Sequence, residues 1–460
     1  QMSCKPIKPR VKGPGHSMFD IDALSASFGG FIWMIFFFVI ALSVIVAVHE
    51  YGHYIVGRWC GIHAEVFSVG FGTVLLSRVD RHGTRWQFAA LPFGGFVRFK
   101  GDASAASAPD AALLPKLSAE ERRKTMHGAP IWARAATSAA GPVFNFILSI
   151  VLYCGLFMWH GQYDGSLKIA QLTPVPGEMG LQIGDEILAV EGQDVRSYEE
   201  FATIGQALVP PVRYTVMRDG RRSSVLGPVP FPALVAQVQP RSAAIEAGLQ
   251  AGDVILRIDG KAINGFSQLQ QTVAEADGDE MGFSVWRAGT EFDVRLTAKS
   301  VAIPSANGEF VNRRLVGISG GTFFEPGTDP LPFGVAIRAA AERTWSIITL
   351  SLAGLKQMVL GSISACNISG PVAIAETAGQ MARQGAMPFV ALIAGLSTAV
   401  GLMNLFPIPV LDGGHLLFCA YEAITGRKPS DSALQILMTI GLFLVLSLTA
   451  FAVVMNFMCP

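Results

Sequence analysis

From Phe31 to Val48 the chain reads FIWMIFFFVIALSVIVAV and runs without a break into His49-Glu50-Tyr51-Gly52-His53. An uncharged apolar run of this length is expected to be a transmembrane helix. Histidines four apart share one helix face, where both imidazoles can hold a single zinc ion, and Glu50 can then act on water at the metal. The competing reading is a polar helix end with no chemistry. Ionisable groups at membrane depth are costly and seldom lack a task, so the metal reading is preferred.

The 460 residues are 51% hydrophobic and 15% charged, with mean hydropathy +0.42. That is too apolar for an ordinary soluble protein and too mixed for one lying wholly in the bilayer. A net charge of zero and the lack of a basic, aromatic-rich patch argue against nucleic acid as a partner. Cys4, Cys60, Cys154, Cys366, Cys419 and Cys459 form no CxxC pair, so neither a disulfide framework nor a zinc knuckle is expected. Residues 1–30 read as a leader, with Met18 as the expected native start.

The fold class expected is a polytopic α-helical membrane protein with four transmembrane helices, a membrane-associated β-hairpin or sheet, and two β-rich domains. The spans are placed at 31–57, 135–159, 387–424 and 433–458. Around Trp345–Leu360 a fifth apolar stretch, broken by Lys356 and rich in Ser and Gly, reads as an amphipathic surface helix at the end of a linker, 301–386. Cations flank the spans at Arg58, at Arg122, Arg123, Lys124 and Arg134, and at Arg427 and Lys428. The positive-inside rule puts these loops in the cytoplasm, and with them outside lie residues 160–386 and both termini. Lys5, Lys8, Arg10 and Lys12 pull the other way.

The outer segment repeats itself. Gly180-Leu-Gln-Ile-Gly184-Asp185-Glu-Ile-Leu-Ala-Val-Glu191-Gly192 recurs, 68 residues on, as Gly248-Leu-Gln-Ala-Gly252-Asp253-Val-Ile-Leu-Arg-Ile-Asp259-Gly260. Each copy is a Gly-Asp turn, an alternating strand and an acidic-Gly hairpin turn. With Pro240-Arg-Ser-Ala-Ala-Ile-Glu-Ala-Gly-Leu, the second copy resembles a PDZ domain; the first lacks part of that signature. Two tandem PDZ-like domains are expected at 163–230 and 231–300, either binding peptide by strand addition or screening out bulky partners. Residues 58–134 are expected to hold a cytoplasmic or re-entrant β region and a loop. Its strands run over 63–100 through Gly94-Gly95, and either dip into the membrane beside the metal or form a plain cytoplasmic sheet.

A hydrolytic zinc site takes three protein ligands and keeps one position open. The best third ligand is Asp412, in Asn404-Leu-Phe-Pro407-Ile-Pro409-Val-Leu-Asp412-Gly413-Gly414-His415. Pro407 and Pro409 cannot continue a regular helix, and Gly413-Gly414 lets the chain turn closely behind the carboxylate. Two alternatives stay open: Asp412 as the N-cap of a helix starting at Gly413, and His415 as a rival ligand. His63, His82, His127 and His160 read as loop residues.

Together HEYGH, Gly141-Pro142-Val-Phe-Asn145, the tandem PDZ-like repeat and NLFPIPVLDGG resemble, in order and spacing, the site-2 protease family of intramembrane zinc metalloproteases. The resemblance implies a zinc cofactor bound by His49, His53 and Asp412, with Glu50 as catalytic acid/base. It implies that Asn404 and Asn145 hold substrate backbone or the oxyanion, and that Gly94-Gly95, with Pro407 and Pro409, belong to the substrate-binding region. The implied function is cleavage of single-pass membrane proteins of the bacterial inner membrane, such as an anti-sigma factor or signal-peptide remnants, after prior trimming outside. The rivals are a non-enzymatic PDZ scaffold with a relic metal site and, less so, a transporter, for which inverted repeats are not evident.

Overall fold

The computed structural model describes residues 21–458 except 103–112, 114–115, 164–166, 206–207, 240–241, 277–279, 305–309 and 361–369. Most of the expected leader, most of the loop after Gly101 and the Pro240-Arg241 start of the second PDZ signature therefore lie outside the described residues. Among the described residues, four helices are long and apolar enough to cross a membrane: Gly30–Trp59, Ile131–His160, Ala386–Asn404 and Ser432–Met455.

The first belongs to α1 (Ile21–Trp59). A long hairpin follows, β1 (Ala64–Val79) and β2 (Arg85–Phe99). It folds back on itself, because Val66–Val69 pairs both with residues 95–98 and with residues 85–88, while Val74–Val79 pairs with residues 85–89. Two long strands thus make a four-ribbon sheet, with Gly95–Phe99 on the edge beside α1. The short α2 (Ala119–Arg123) is closed by a Ser118–Glu121 capping box and leads to α3 (Ile131–His160). Small residues let α1 and α3 approach closely: a Cβ on Gly52 would sit 2.6 Å from the Ala140 carbonyl oxygen.

Beyond α3 the repeat becomes two similar units. In the first, β3 (Gln162–Tyr163) and β4 (Ile169–Leu172) precede β5 (Glu186–Val190), β6 (Gln193–Asp194), α4 (Tyr198–Gly205), β7 (Val212–Arg218) and β8 (Arg221–Gly227). In the second, β9 (Val235–Val238) and α5 (Ala243–Glu246) precede β10 (Val254–Ile258), β11 (Lys261–Ala262), α6 (Phe266–Glu275), β12 (Met281–Arg287) and β13 (Thr290–Leu296). The sheet orders match, β6-β5-β7-β8 and β11-β10-β12-β13. Glu191-Gly192 and Asp259-Gly260 are all left-handed, as a tight two-residue hairpin turn requires. An arginine also recurs: Arg218 Nε donates to Asp185 Oδ1 at 2.7 Å and Arg287 Nε to Asp253 Oδ1 at 2.6 Å, fixing each Gly-Asp turn.

The stretch 301–386 is not a plain linker. The hairpin β14 (Lys299–Pro304) and β15 (Phe310–Leu315) leads to β16 (Ile318–Gly320), β17 (Phe324–Pro326) and β18 (Thr328–Asp329). β16 pairs with β9 of the second unit, β17 with β4 of the first, and β18 with β3. One short segment thus closes both units, and Phe323 and Phe324 fill the first unit's core. Strands of two or three residues carry no readable alternation, which is why the repeat pattern stops short of them.

The expected surface helix is longer than Trp345–Leu360. It runs as α7 (Phe333–Val359) and buries Ala336, Ala340 and Thr344. Its inner face belongs to a polar and apolar seam with α3, where Ser149 Oγ lies 3.2 Å from Thr344 Oγ1. The amphipathic α8 (Pro371–Gln384) packs on α1, Trp33 Nε1 donating to the Gly379 carbonyl at 3.2 Å. Last come α9 (Ala386–Asn404), α10 (Asp412–Thr425) and α11 (Asp431–Met458). Residues 405–411, which hold both prolines, divide what would otherwise be one helix into α9 and α10.

Candidate metal centre

His49, His53 and Asp412 are the one group among the described residues that could hold a metal ion, with one donor atom of each lying within 4.8 Å of the others. His49 Nε2 lies 3.1 Å from Asp412 Oδ2, His53 Nε2 3.4 Å from Asp412 Oδ1, and the two Nε2 atoms are 3.2 Å apart. Ligands of one tetrahedral zinc, each roughly 2.0–2.1 Å from the metal, stand about 3.3 Å from each other. The residues present fit zinc.

Each donor is placed by a local reason. α1 carries both imidazoles on one face through their four-residue spacing. Against them lies a stripe of α3, Thr137, Gly141 and Asn145, also four apart. His53 Nδ1 lies 2.8 Å from the Thr137 carbonyl oxygen, an atom that only accepts, so Nδ1 carries the proton and the Nε2 lone pair faces the cluster. A Cβ on Gly141 would come 2.3 Å from His53 Nε2 and 2.7 Å from His49 Cε1, so only glycine leaves room for the rings. Asn145 is fully buried, and its Nδ2 lies 3.1 Å from His49 Nδ1.

Asp412 begins α10, but its side chain does not cap it. The N-cap is Leu411, with no side-chain cap bond, and the carboxylate goes to the histidines instead. Gly413 and Gly414 allow the tight turn, since Cβ atoms there would lie 2.2 Å from the Phe406 oxygen and 2.4 Å from the Ile408 oxygen. His415 is outside the cluster, its ring edge-on to Phe418. α10 is also clasped to α3 by Arg134 and Glu422, 2.7 Å apart and largely screened from solvent.

The hairpin reaches the site at Gly95. A Cβ there would lie 3.0 Å from Val46 Cγ1 and 3.2 Å from Glu50 Cγ, so strand backbone passes directly beside the Glu50 side chain. Gly94 instead gives room to the Phe71 ring. Asn404 ends α9 half-buried, Pro407 is exposed in the break, and Pro409 packs near Gly441 of α11. The structure therefore gathers His49, Glu50, His53, Asp412, Asn145 and Gly95 at one place, with Asn404 and the prolines on the segment leading to Asp412.

A second anchor was not foreseen from the sequence. Asp80, at the end of the outer ribbon, accepts from Tyr54 Oη at 3.0 Å, Trp86 Nε1 at 3.1 Å, and the His82 and Thr84 amides at 2.8 and 3.0 Å. Partial burial alone would raise its pKa, but these donors outweigh that and hold it at about 2. Since Tyr54 follows His53, this bond fastens the sheet to the helix bearing the imidazoles. Asp-Arg-His-Gly is an ordinary turn signal, and only the side-chain donors reveal its second role.

The model of peptidase family M50 matches residues 37–448, a range that takes in HEYGH, both repeat units and LDGG. The chain belongs to peptidase family M50. A protein of Agrobacterium fabrum named "Putative zinc metalloprotease Atu1380" is 34% identical over 90% of this chain and 93% of its own length. A Brucella suis protein with the same "zinc metalloprotease" designation is 35% identical over 94% of this chain and 97% of its own. The regulator of sigma-E protease RseP of Salmonella typhimurium is 31% identical over 93% of this chain and 98% of its own. Membership of this site-2 protease family makes the chain a metalloprotease.

Proposed function

We propose that this M50 protein is an intramembrane zinc endopeptidase of the inner membrane, cleaving single-pass membrane proteins within or beside their spans after earlier trimming outside. The observation that carries the reading is the convergence of His49, His53 and Asp412, at zinc-fitting separations, on the end of an apolar helix with Glu50 beside them. By kinship with the regulator of sigma-E protease, a membrane-tethered anti-sigma factor is the substrate class proposed, with signal-peptide remnants as a second.

Zinc held there supplies a Lewis acid that lowers the pKa of water and polarises a carbonyl. Glu50 takes the proton from the attacking water and later passes it to the leaving amine. A helical substrate hides its scissile carbonyls in its own hydrogen bonds, so it must unwind locally before attack. The strand backbone at Gly95 lies against Glu50, and its edge away from residues 64–69 pairs with no strand among the described residues. An unwound substrate laid along that edge gains backbone partners next to the catalytic carboxylate. Asn404 is proposed to hold substrate backbone from the opposite side. The two outer units are proposed as PDZ-like domains in the periplasm, screening substrates by size; orientation follows from the cations at Arg58, Arg122–Lys124 and Arg427–Lys428.

The test is cleavage of a model transmembrane substrate by the purified chain in vesicles, with metal content measured in parallel. Cleavage that ends on chelation and returns with zinc supports the reading. A zinc-loaded, folded chain that cleaves no trimmed membrane substrate would sink it and leave the scaffold.

A further inference from the structure

The two imidazoles are served differently from behind. His53 Nδ1 meets a backbone carbonyl, which fixes its proton. His49 Nδ1 meets the Asn145 side chain, which is fully buried and as placed directs Nδ2 at the ring while Oδ1 has no hydrogen-bond partner. The two ends of a carboxamide have nearly the same shape and differ only in whether they donate or accept. An Nε2 that gives its lone pair to a cation leaves the ring proton on Nδ1, and a buried N–H needs an acceptor. Turning the Asn145 carboxamide over supplies one.

We infer that Asn145 is a positioning residue for His49: its Oδ1 accepts the Nδ1–H, locking the tautomer and ring plane that present Nε2 to Asp412 and His53. This differs from a role on substrate backbone or the oxyanion, and it rests on the zinc reading above. The position of Asn145 is itself braced. Ser397 Oγ of α9 donates to the Asn145 carbonyl at 2.8 Å, and one turn on, Thr398 Oγ1 donates to Ser149 Oγ at 2.7 Å. A Cβ on Gly401 would come within 3.1 Å of Asn145 Cβ, so α9 closes directly over this residue. The stripe Thr137, Gly141, Asn145 thereby does three jobs on one face of α3: it accepts from His53, makes room for both rings, and, with the carboxamide turned over, offers His49 its acceptor.

The experiment is a chelator competition for zinc on the full-length protein, with parent, Asn145→Asp and Asn145→Leu, and cobalt absorption as a record of ligand geometry. Asp keeps the acceptor in the same shape, whereas Leu fills the space without one. The expected result is zinc affinity at or above the parent for Asn145→Asp and about 10–100-fold weaker for Asn145→Leu, the usual effect of losing such a partner. If Asn145→Leu does not fold, Asn145→Asp decides alone, and an affinity tenfold or more below the parent overturns the inference. Parent-like zinc affinity in Asn145→Leu with a lower kcat also overturns it, since the residue then acts on substrate. A parent that binds no zinc would instead sink the underlying metal reading.

Discussion

Asp412 Oδ2 lies 3.1 Å from His49 Nε2, although the two residues come from opposite ends of the chain. The contact depends on α9 ending before the prolines, so that α10 restarts with a carboxylate aimed at α1. Asp412→Ala should therefore lower zinc occupancy sharply, while His415→Ala, whose ring stands by Phe418, should leave it near the parent's. Metal analysis of both purified variants checks this. Zinc lost from His415→Ala and kept by Asp412→Ala would reverse the assignment.

Glu50→Gln should keep zinc, because the three donors remain, and lose cleavage by about 10²–10⁴-fold, the usual weight of general acid/base help. Turnover of a transmembrane substrate at the parental rate, with metal content unchanged, would remove Glu50 from the mechanism.

How much of this was legible in the sequence varies from element to element. The spans were legible because an uncharged run of spanning length has few other uses, and the repeat because Gly-Asp and acid-Gly turns stand at fixed offsets. The spacing of His49 and His53 puts them on one face of any helix. The demand for a third ligand and the resemblance carried by NLFPIPVLDGG pointed to Asp412; nothing in the spacing could bring it to α1. The α3 stripe was half legible, since Gly141 and Asn145 stood out as a motif but not as the floor and backing of the imidazoles. β16 and β17 were illegible because three-residue strands have no period, and their partners lie far away in the chain, as with Ile318 and Val238 or Phe324 and Leu172.

Gly141→Ala and Gly155→Ala make a controlled pair on one helix. Helix propensity favours alanine at both by up to about 1 kcal/mol. At Gly155 a Cβ meets nothing within 4 Å, whereas at Gly141 it meets His53 Nε2 at 2.3 Å. Gly155→Ala should leave zinc affinity within about twofold and stability unchanged or slightly higher, by the same propensity. Gly141→Ala should weaken zinc more than tenfold while its helix content stays intact, as circular dichroism and chelator competition would record. Equal zinc affinities in the two would mean that the rings are not seated against α3.

Asp80 gives a pH dependence with a definite sign. Its folded pKa is depressed from 3.8 to about 2, so its bonds to Tyr54, Trp86 and the turn amides stabilise the fold fully above the unfolded value and are lost as pH falls through about 2. Asp80→Asn should melt below the parent at neutral pH, and the gap should close between about pH 4 and about pH 2. A gap that stays constant over that window would show that the charge of Asp80 contributes nothing.

The outer units should be removable only as one piece. β3 and β18 run side by side, Thr328 Oγ1 donates to the His160 carbonyl at 2.6 Å, and a Cβ on Gly161 would lie 2.6 Å from the Asp329 carbonyl carbon. Entry and exit of the whole segment are thus adjacent, and a short glycine link from residue 161 to residue 330 bridges them without strain. Removing 162–329 should leave a folded, zinc-binding core that still cuts a trimmed substrate and now also accepts one with a bulky outer domain. Removing only 163–300 strands β16 and β17 without partners and uncovers Phe323 and Phe324, which are otherwise 0% and 1% exposed. That shorter deletion should aggregate in detergent, and size-exclusion profiles of the two deletions separate the cases. If the 163–300 deletion is monodisperse and the 162–329 deletion is not, the two units do not depend on their shared closing segment. If the 162–329 core folds and binds zinc yet cuts nothing, the outer units take part in substrate binding itself rather than in screening by size.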